Sequence, residues 1–209
     1  MKTEYIKGND LDHSRIAAYI PEVMNALYDS VSFESTSLTE MRDAFRMKQI
    51  QGKTWLLNSG LLDHCLDKSK SVLVVGSWFG FTSFCLHKLG FSNVTEVDPD
   101  SRLEHFAKHL NRFNKQYTHI TADINTVDMS SYDIVVNPSG EHIVDNTWFD
   151  NIKTGATVII HSTDYPASDH VNTCQQQDEL LSRYKMLPTF LGTLDLQTYK
   201  RFMIVGIKT

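Results

Sequence analysis

The 209-residue chain has few cysteines, no excess of positive charge and no long apolar run. Each absence excludes a class of protein. Cys65, Cys85 and Cys174 are the only cysteines, too few and too widely spaced for a disulfide framework, so they read as reduced thiols. A formal net charge of −5 leaves no basic stripe for duplex nucleic acid, whose non-specific affinity comes from phosphate contacts. Small molecules or proteins are favoured as partners. No apolar stretch has the length of a membrane span, and the opening MKTEYIKGND lacks a signal-peptide core. No membrane partner is expected, and the expected compartment is the cytoplasm. Internal repeats and low-complexity tracts are also absent. What remains, with 41% apolar residues, is enough for one domain with a full core.

The stretch from Val72 to Asp98 organises that domain. Val72 to Val75 is a short, β-branched apolar run suited to a strand buried on both faces. Gly76 and Gly80 bracket a tight turn, and Phe81, Phe84, Cys85 and Leu89 then recur at helical spacing until Gly90 closes the helix. A second strand, Val94 to Val97, leads into Asp98. This order puts a carboxylate at the carboxyl edge of the strand beside the glycine turn, where it can accept hydrogen bonds from both hydroxyls of a ribose. A dinucleotide fold needs G-x-G-x-x-G so that the backbone approaches a pyrophosphate. Here the turn reads Gly76-Ser77-Trp78-Phe79-Gly80, and its bulk disfavours such a cradle and, with it, an oxidoreductase.

On these residues the region resembles the class I S-adenosylmethionine-dependent methyltransferases, whose first strand ends in acid-x-G-x-G-x-G and whose second ends in the ribose-binding acid. The resemblance covers roughly residues 55 to 207. It implies an α/β fold: a doubly wound, Rossmann-like three-layer sandwich with a mostly parallel seven-stranded sheet and an antiparallel C-terminal hairpin strand. It also implies S-adenosyl-L-methionine as cofactor, with Gly76, Ser77, Trp78, Gly80 and Asp98 around it. The chain departs from the pattern at Val74, where the family has its acid, and at Trp78, where it has its middle glycine. Two readings of Trp78 stand: the indole packs on the cofactor, as an aromatic face beside a sulfonium can, or it fills space with Phe79 beneath the N-terminal helices.

Residues 1 to 70 read as helical. Residues 1–54 are expected to form an extension of the same domain as 55–209. Asp12 or Ser14 suits a cap, Pro21 a first turn, and Val23, Met24, Leu27, Tyr28 and Val31 one side of a helix. Residues 32–37 read as a polar linker, and Ser37 to Glu40 as a capping box for a helix ending near Gly52. Trp55 to Leu66 reads as a further amphipathic helix. In the family such helices cover the cofactor and shape the acceptor pocket.

Beyond Asp98, a helix carrying Leu103, Phe106, Ala107 and Leu110 precedes a third strand, Tyr117 to Ile120. By resemblance the following Asp123, with Ile124, holds the adenine. Tyr132 to Val136 is the fourth strand, and the loop Asn137-Pro138-Ser139-Gly140-Glu141-His142 after it is rich in reactive groups. It lies at the carboxyl edge where strand order reverses and ligands bind. Asn137-Pro138 is similar to the start of the N-P-P-aromatic loop of amino-directed methyltransferases, which implies roles for Asn137 toward both the acceptor and the cofactor. The stacking ring is missing, which disfavours a flipped base.

Glu141 and His142 are candidate general bases, and His161, at the carboxyl end of the fifth strand Ala156 to Ile160, falls next to their loop. The catalytic candidates are thus Asn137, Glu141, His142 and His161. With Asp164 and His170 they could ring one pocket of mixed donors suited to a divalent ion, yet these residues show no tight ligand spacing and no metal is expected. A polar helix from Cys174 to Tyr184 precedes two β-rich segments, Phe190 to Leu196 and Tyr199 to Ile207, that read as a hairpin.

The expected reaction is methyl transfer to an oxygen or nitrogen of a small molecule or protein side chain. Two alternatives remain open: transfer of the cofactor's aminocarboxypropyl arm, and a non-catalytic nucleoside-binding or structural module. The acceptor and the oligomeric state are not legible in the sequence.

Overall fold

The computed structural model describes residues 1–30 and 38–209. Its strands are β1 (Lys2–Lys7), β2 (Val72–Val75), β3 (Val94–Asp98), β4 (Thr118–Thr121), β5 (Ile134–Asn137), β6 (Thr157–Thr163), β7 (Met186–Asp195) and β8 (Lys200–Lys208). They form one sheet in the order β1-β7-β8-β6-β5-β2-β3-β4. The central pairs are parallel: β2 lies between β3 and β5, with Val74 opposite Glu96 and Val136. β8 runs antiparallel to both β6 and β7, so the expected mixed sheet with a C-terminal hairpin is present. The order reverses between β2 and β5, which places a crevice at their carboxyl ends.

The sheet has eight strands rather than seven. The added strand is β1, in a segment read as helical, and it pairs in parallel with β7 from Lys2 opposite Phe190 to Lys7 opposite Asp195. Only Glu4 and Ile6 turn inward, both half-buried, while the rest of β1 is exposed. An edge strand with one apolar inward residue leaves little alternation to read. The Trp55 indole N–H donates to Glu4 Oε2 at 2.7 Å and ties this edge to the helices.

The helices that follow are α1 (Ser14–Ala17), α2 (Ile20–Ser30), α3 (Leu38–Ala44) and α4 (Met47–Trp55). Asp12 Oδ1 accepts the Ser14 N–H at 2.9 Å, and Pro21 sits in the first turn of α2. The linker expected at 32–37, the Ser37 cap, Val31 and the Leu27 side chain lie outside what is described. The helix expected to end near Gly52 instead breaks after Ala44, and α4 runs through Gly52. Glycine there lets the Arg201 side chain pack closely, because a Cβ would stand 3.0 Å from Arg201 Cδ and Nε. The amphipathic helix expected at Trp55–Leu66 continues α4 as a wide turn over Leu56–Leu62 of π-helical form, and Leu66 is exposed.

Helices α5 (Phe81–Lys88), α6 (Ser101–Leu110) and α7 (Gln177–Ser182) complete the layers. One face of the sheet is covered by the N-terminal helices with α5 and α6, burying Trp55, Phe79, Phe81 and Phe84. The other face buries Trp148, Phe149, Leu180 and Tyr184. Residues Phe81 to Leu86 are all buried, so α5 is enclosed between the sheet and the N-terminal helices. Among the described residues no helix is long and apolar enough to cross a membrane.

Candidate active site

The turn after β2 folds through three left-handed residues: Gly76 at φ 62°, Trp78 at 55° and Gly80 at 72°. For Trp78 this conformation costs about 1–2 kcal/mol, offset by what it positions. The Trp78 backbone N–H donates to Asp98 Oδ2 at 2.8 Å, and the Asp100 N–H to Asp98 Oδ1 at 3.0 Å. Asp98 is buried, and burial pushes its carboxyl upward while the two backbone hydrogen bonds oppose that shift. Each oxygen keeps a further lone pair, so the carboxylate still has capacity for a diol.

Asp98 lines a cleft of about 760 Å³ together with Gly76, Trp78, Asp123 and Ile124. Asp123 Oδ1 accepts the Asn125 backbone N–H at 2.9 Å, which starts a short helical turn over Ile124–Thr126. Ile124 is buried beside it and presents an apolar wall. Trp78 is half-buried and faces the cleft, whereas Phe79 is buried against Phe45 and Phe106. The two neighbouring aromatics thus divide: Phe79 fills space and Trp78 forms a wall. Gly80 lies outside the cleft lining. A Cβ there would stand 3.1 Å from the Ala107 backbone, so Gly80 serves the contact between α5 and α6.

Beyond Trp78 lies a smaller, more enclosed pocket of about 40 Å³ that shares Gln49, Gly76, Trp78, Ser139 and His142 with the cleft. Its polar wall consists of Lys53, Glu141, His161 and Arg201. Arg201 Nη2 donates to Gln49 Oε1 at 3.0 Å, and Arg201 Nη1 approaches Glu141 Oε1 at 3.5 Å. Burial, followed by the Arg201 charge, lowers the Lys53 amine to about 8. Burial, followed by Arg201 and Lys53, holds His161 well below the usual imidazole value. His161 is therefore neutral near pH 7, stacked on Trp55 with ring centroids 5.2 Å apart.

The loop after β5 is drawn onto this pocket. Gly140 permits it, since a Cβ would stand 2.6 Å from the His161 carbonyl oxygen. Asn137 is fully buried behind the loop, where its Oδ1 accepts the Ser139 N–H at 3.0 Å. It lines neither cavity, while Ser77 lines the inner one. His142 is exposed, its Nδ1 3.3 Å from Asp169 Oδ2, and its ring meets that of His170 edge-on at 4.7 Å. One ligand atom each from Glu141, His142 and His170 lies within 4.8 Å of the others. Asp164 stands apart, accepting the Lys200 backbone N–H at 2.7 Å. Lys53, Arg201, Gln49 and Gly52 had no signal in a motif. The one available cue was a charged Arg201 within an otherwise apolar strand.

No protein-family model matches the chain, and no curated protein matches it in sequence. Solved structures do match in fold. The N-methyltransferase NodS from Bradyrhizobium japonicum WM9, in complex with S-adenosyl-L-homocysteine, superposes at a TM-score of 0.64 with 15% identity, covering 87% of this chain and 97% of that one. Magnesium protoporphyrin IX methyltransferase from Synechocystis PCC 6803, with bound S-adenosylmethionine, gives 0.59 and 17%, covering 95% and 98%. Geranyl diphosphate C-methyltransferase from Streptomyces coelicolor A3(2) gives 0.59 and 12%, covering 81% and 84%. The fold of this chain is that of the class I S-adenosylmethionine-dependent methyltransferases.

Proposed function

We propose that the chain is an S-adenosylmethionine-dependent methyltransferase that moves the methyl group to an oxygen or nitrogen of a small molecule or protein side chain. The observation that carries this reading is the Asp98 carboxylate, fixed by the Trp78 and Asp100 N–H groups at the carboxyl edge of β3 and open to the cleft. In that cleft Asp98 takes the ribose hydroxyls. Asp123 and Ile124 take the adenine edge and face, and the Gly76–Trp78 turn carries the sulfonium end toward the inner pocket. The cofactor supplies an already activated methyl carbon. The protein's part is in-line positioning and exclusion of water.

Glu141, His142 and His161 line the inner pocket, which in this reading is the acceptor side. A neutral, buried His161 accepts a hydrogen bond without itself carrying charge. Exposed His142, held by Asp169, is placed to take a proton from the acceptor as the methyl carbon is attacked. The test is product analysis with labelled S-adenosylmethionine and a panel of small acceptors. Methyl transfer leaves S-adenosylhomocysteine and a His142-dependent methylated product. Release of methylthioadenosine instead would establish transfer of the aminocarboxypropyl arm and refute the proposal.

A further inference from the structure

Among the described residues one group of histidine and carboxylate side chains gathers closely enough to hold a metal ion: Glu141, His142 and His170, with one ligand atom of each inside 4.8 Å of the others. The group stands where the inner pocket meets the cleft, since Glu141 lines the first, His170 the second and His142 both. Glu141 is 2% exposed, and its Oε2 is a buried acceptor with no protein donor. Arg201 serves the other oxygen, with Nη1 3.5 Å from Oε1, and is shared with Gln49. A buried carboxylate oxygen left without a partner calls for a donor or a cation.

The two histidines are set to present lone pairs at that place. His170 Nδ1 lies 2.6 Å from the Tyr165 carbonyl oxygen, which can only accept, so the proton sits on Nδ1 and the lone pair on Nε2. His142 Nδ1 faces Asp169 Oδ2 at 3.3 Å, and a carboxylate there favours the same tautomer. An imidazole held at one nitrogen by a carbonyl or a carboxylate is how metal-ligating histidines are commonly supported. The loops that carry the ligands are joined at the site. The Glu141 carbonyl oxygen accepts the Val171 N–H at 2.9 Å and the Asn172 N–H at 3.0 Å, which keeps His170 beside Glu141. Ligands about 2.1 Å from one ion stand about 3.4 Å apart in a tetrahedron, so the set closes by about 1.4 Å at most, within reach of a rotation of the exposed His142 side chain.

Two imidazoles and one carboxylate also select the ion. Such a donor set suits zinc and its neighbours, whereas magnesium and calcium take oxygen. The cleft side adds a negative field, because Asp98, Asp123, Asp145 and Asp169 line it and no lysine or arginine does. Lys53 and Arg201 lie on the inner-pocket side. We propose that Glu141, His142 and His170 form a binding site for one divalent transition-metal ion of the zinc class, open toward the cleft. This departs from the expectation of no metal, which looked for ligand spacing along the chain; the joining of two loops brings His170 to its partners instead. The binding stands apart from the methyltransferase reading, and only its consequence rests on that reading. The His142 Nε2 lone pair is the one that would take the acceptor's proton, so a loaded site silences His142 as a base.

The test is calorimetric titration of the chelator-treated protein with zinc chloride, alone and saturated with S-adenosylhomocysteine, with magnesium chloride as the rival ion. The proposal expects one-to-one zinc binding in both states, and magnesium binding at least tenfold weaker. His142→Gln, His170→Gln and Glu141→Gln should each lower zinc affinity at least tenfold. His170→Gln should keep the wild-type unfolding midpoint measured without metal, which shows that this variant folds. Absence of zinc binding to the wild type overturns the proposal, as does zinc affinity unchanged in His142→Gln and His170→Gln, which assigns the ion to other histidines. Magnesium binding as tightly as zinc overturns it as well. Displacement of zinc by S-adenosylhomocysteine gives Glu141 to the ammonium of the cofactor tail and overturns it too. Zinc binding without S-adenosylhomocysteine binding upholds the site and counts against the methyltransferase reading alone.

Discussion

The Trp78 backbone N–H and the Asp98 carboxylate meet at 2.8 Å, so the residue that departs most from the glycine pattern also orients the acid that fits it best. The departure changes the side chain that faces the cleft and leaves the hydrogen bond intact. Trp55 and Trp148 are fully buried, whereas Trp78 lines the cleft. S-adenosylhomocysteine is expected to change the tryptophan emission, and Trp78→Phe to abolish that change while binding followed calorimetrically persists. An equal emission change in Trp78→Phe would place the cofactor elsewhere.

The glycine at 140 is a packing requirement of the loop after β5. Gly140→Ala sets a Cβ 2.6 Å from the His161 carbonyl oxygen, a backbone atom that cannot step aside. The expected cost is about 1–3 kcal/mol in denaturant unfolding, accompanied by loss of turnover. Unchanged stability would show that the loop does not press on β6.

His161 gives stability a signed pH dependence. Its folded-state value lies well below the ordinary 6.5, so below pH 6.5 the unfolded chain binds more protons and stability falls as pH falls. His161→Phe keeps a ring against Trp55 and removes the titration. Relative to the wild type this variant is expected to gain stability between pH 7.5 and 5.5, measured by urea unfolding. A constant difference across that range would contradict a buried, neutral imidazole.

Beyond its pairing with β7, the edge strand is tied by the Trp55 indole to Glu4 at 2.7 Å, by the Tyr5 hydroxyl to Asp195 and by Lys2 to Asp63. Glu4→Ala is expected to cost about 1.5–3 kcal/mol and to increase amide exchange in β1 first. Exchange that rises uniformly over the sheet would mean that β1 does not open on its own.

Much of the fold was legible because its central strands are short apolar runs. Val72–Val75 and Ile134–Val136 are buried on both faces, and the Asp98 acid and the C-terminal hairpin follow from strand and turn patterns. β1 was not legible, since an edge strand with exposed Lys2, Thr3, Tyr5 and Lys7 carries almost no burial pattern. Gly52 misled because the residue that ends many helices here makes room for Arg201. Asp98, Asp123 and Ile124, which line the cleft, were readable because they follow the two strands of one βαβ unit. The inner pocket was not, because Lys53 comes from an N-terminal helix and Arg201 from the last strand. Only the three-dimensional sheet order brings those two cations against Glu141.

The most direct test of the account is calorimetric titration of the protein and its Asp98→Ala variant with S-adenosylhomocysteine. Loss of one partner of a buried, charged hydrogen bond should cost about 2–5 kcal/mol. The account predicts one-to-one binding to the wild type that weakens by at least tenfold in the variant. No binding to the wild type, or equal binding by both proteins, would contradict it.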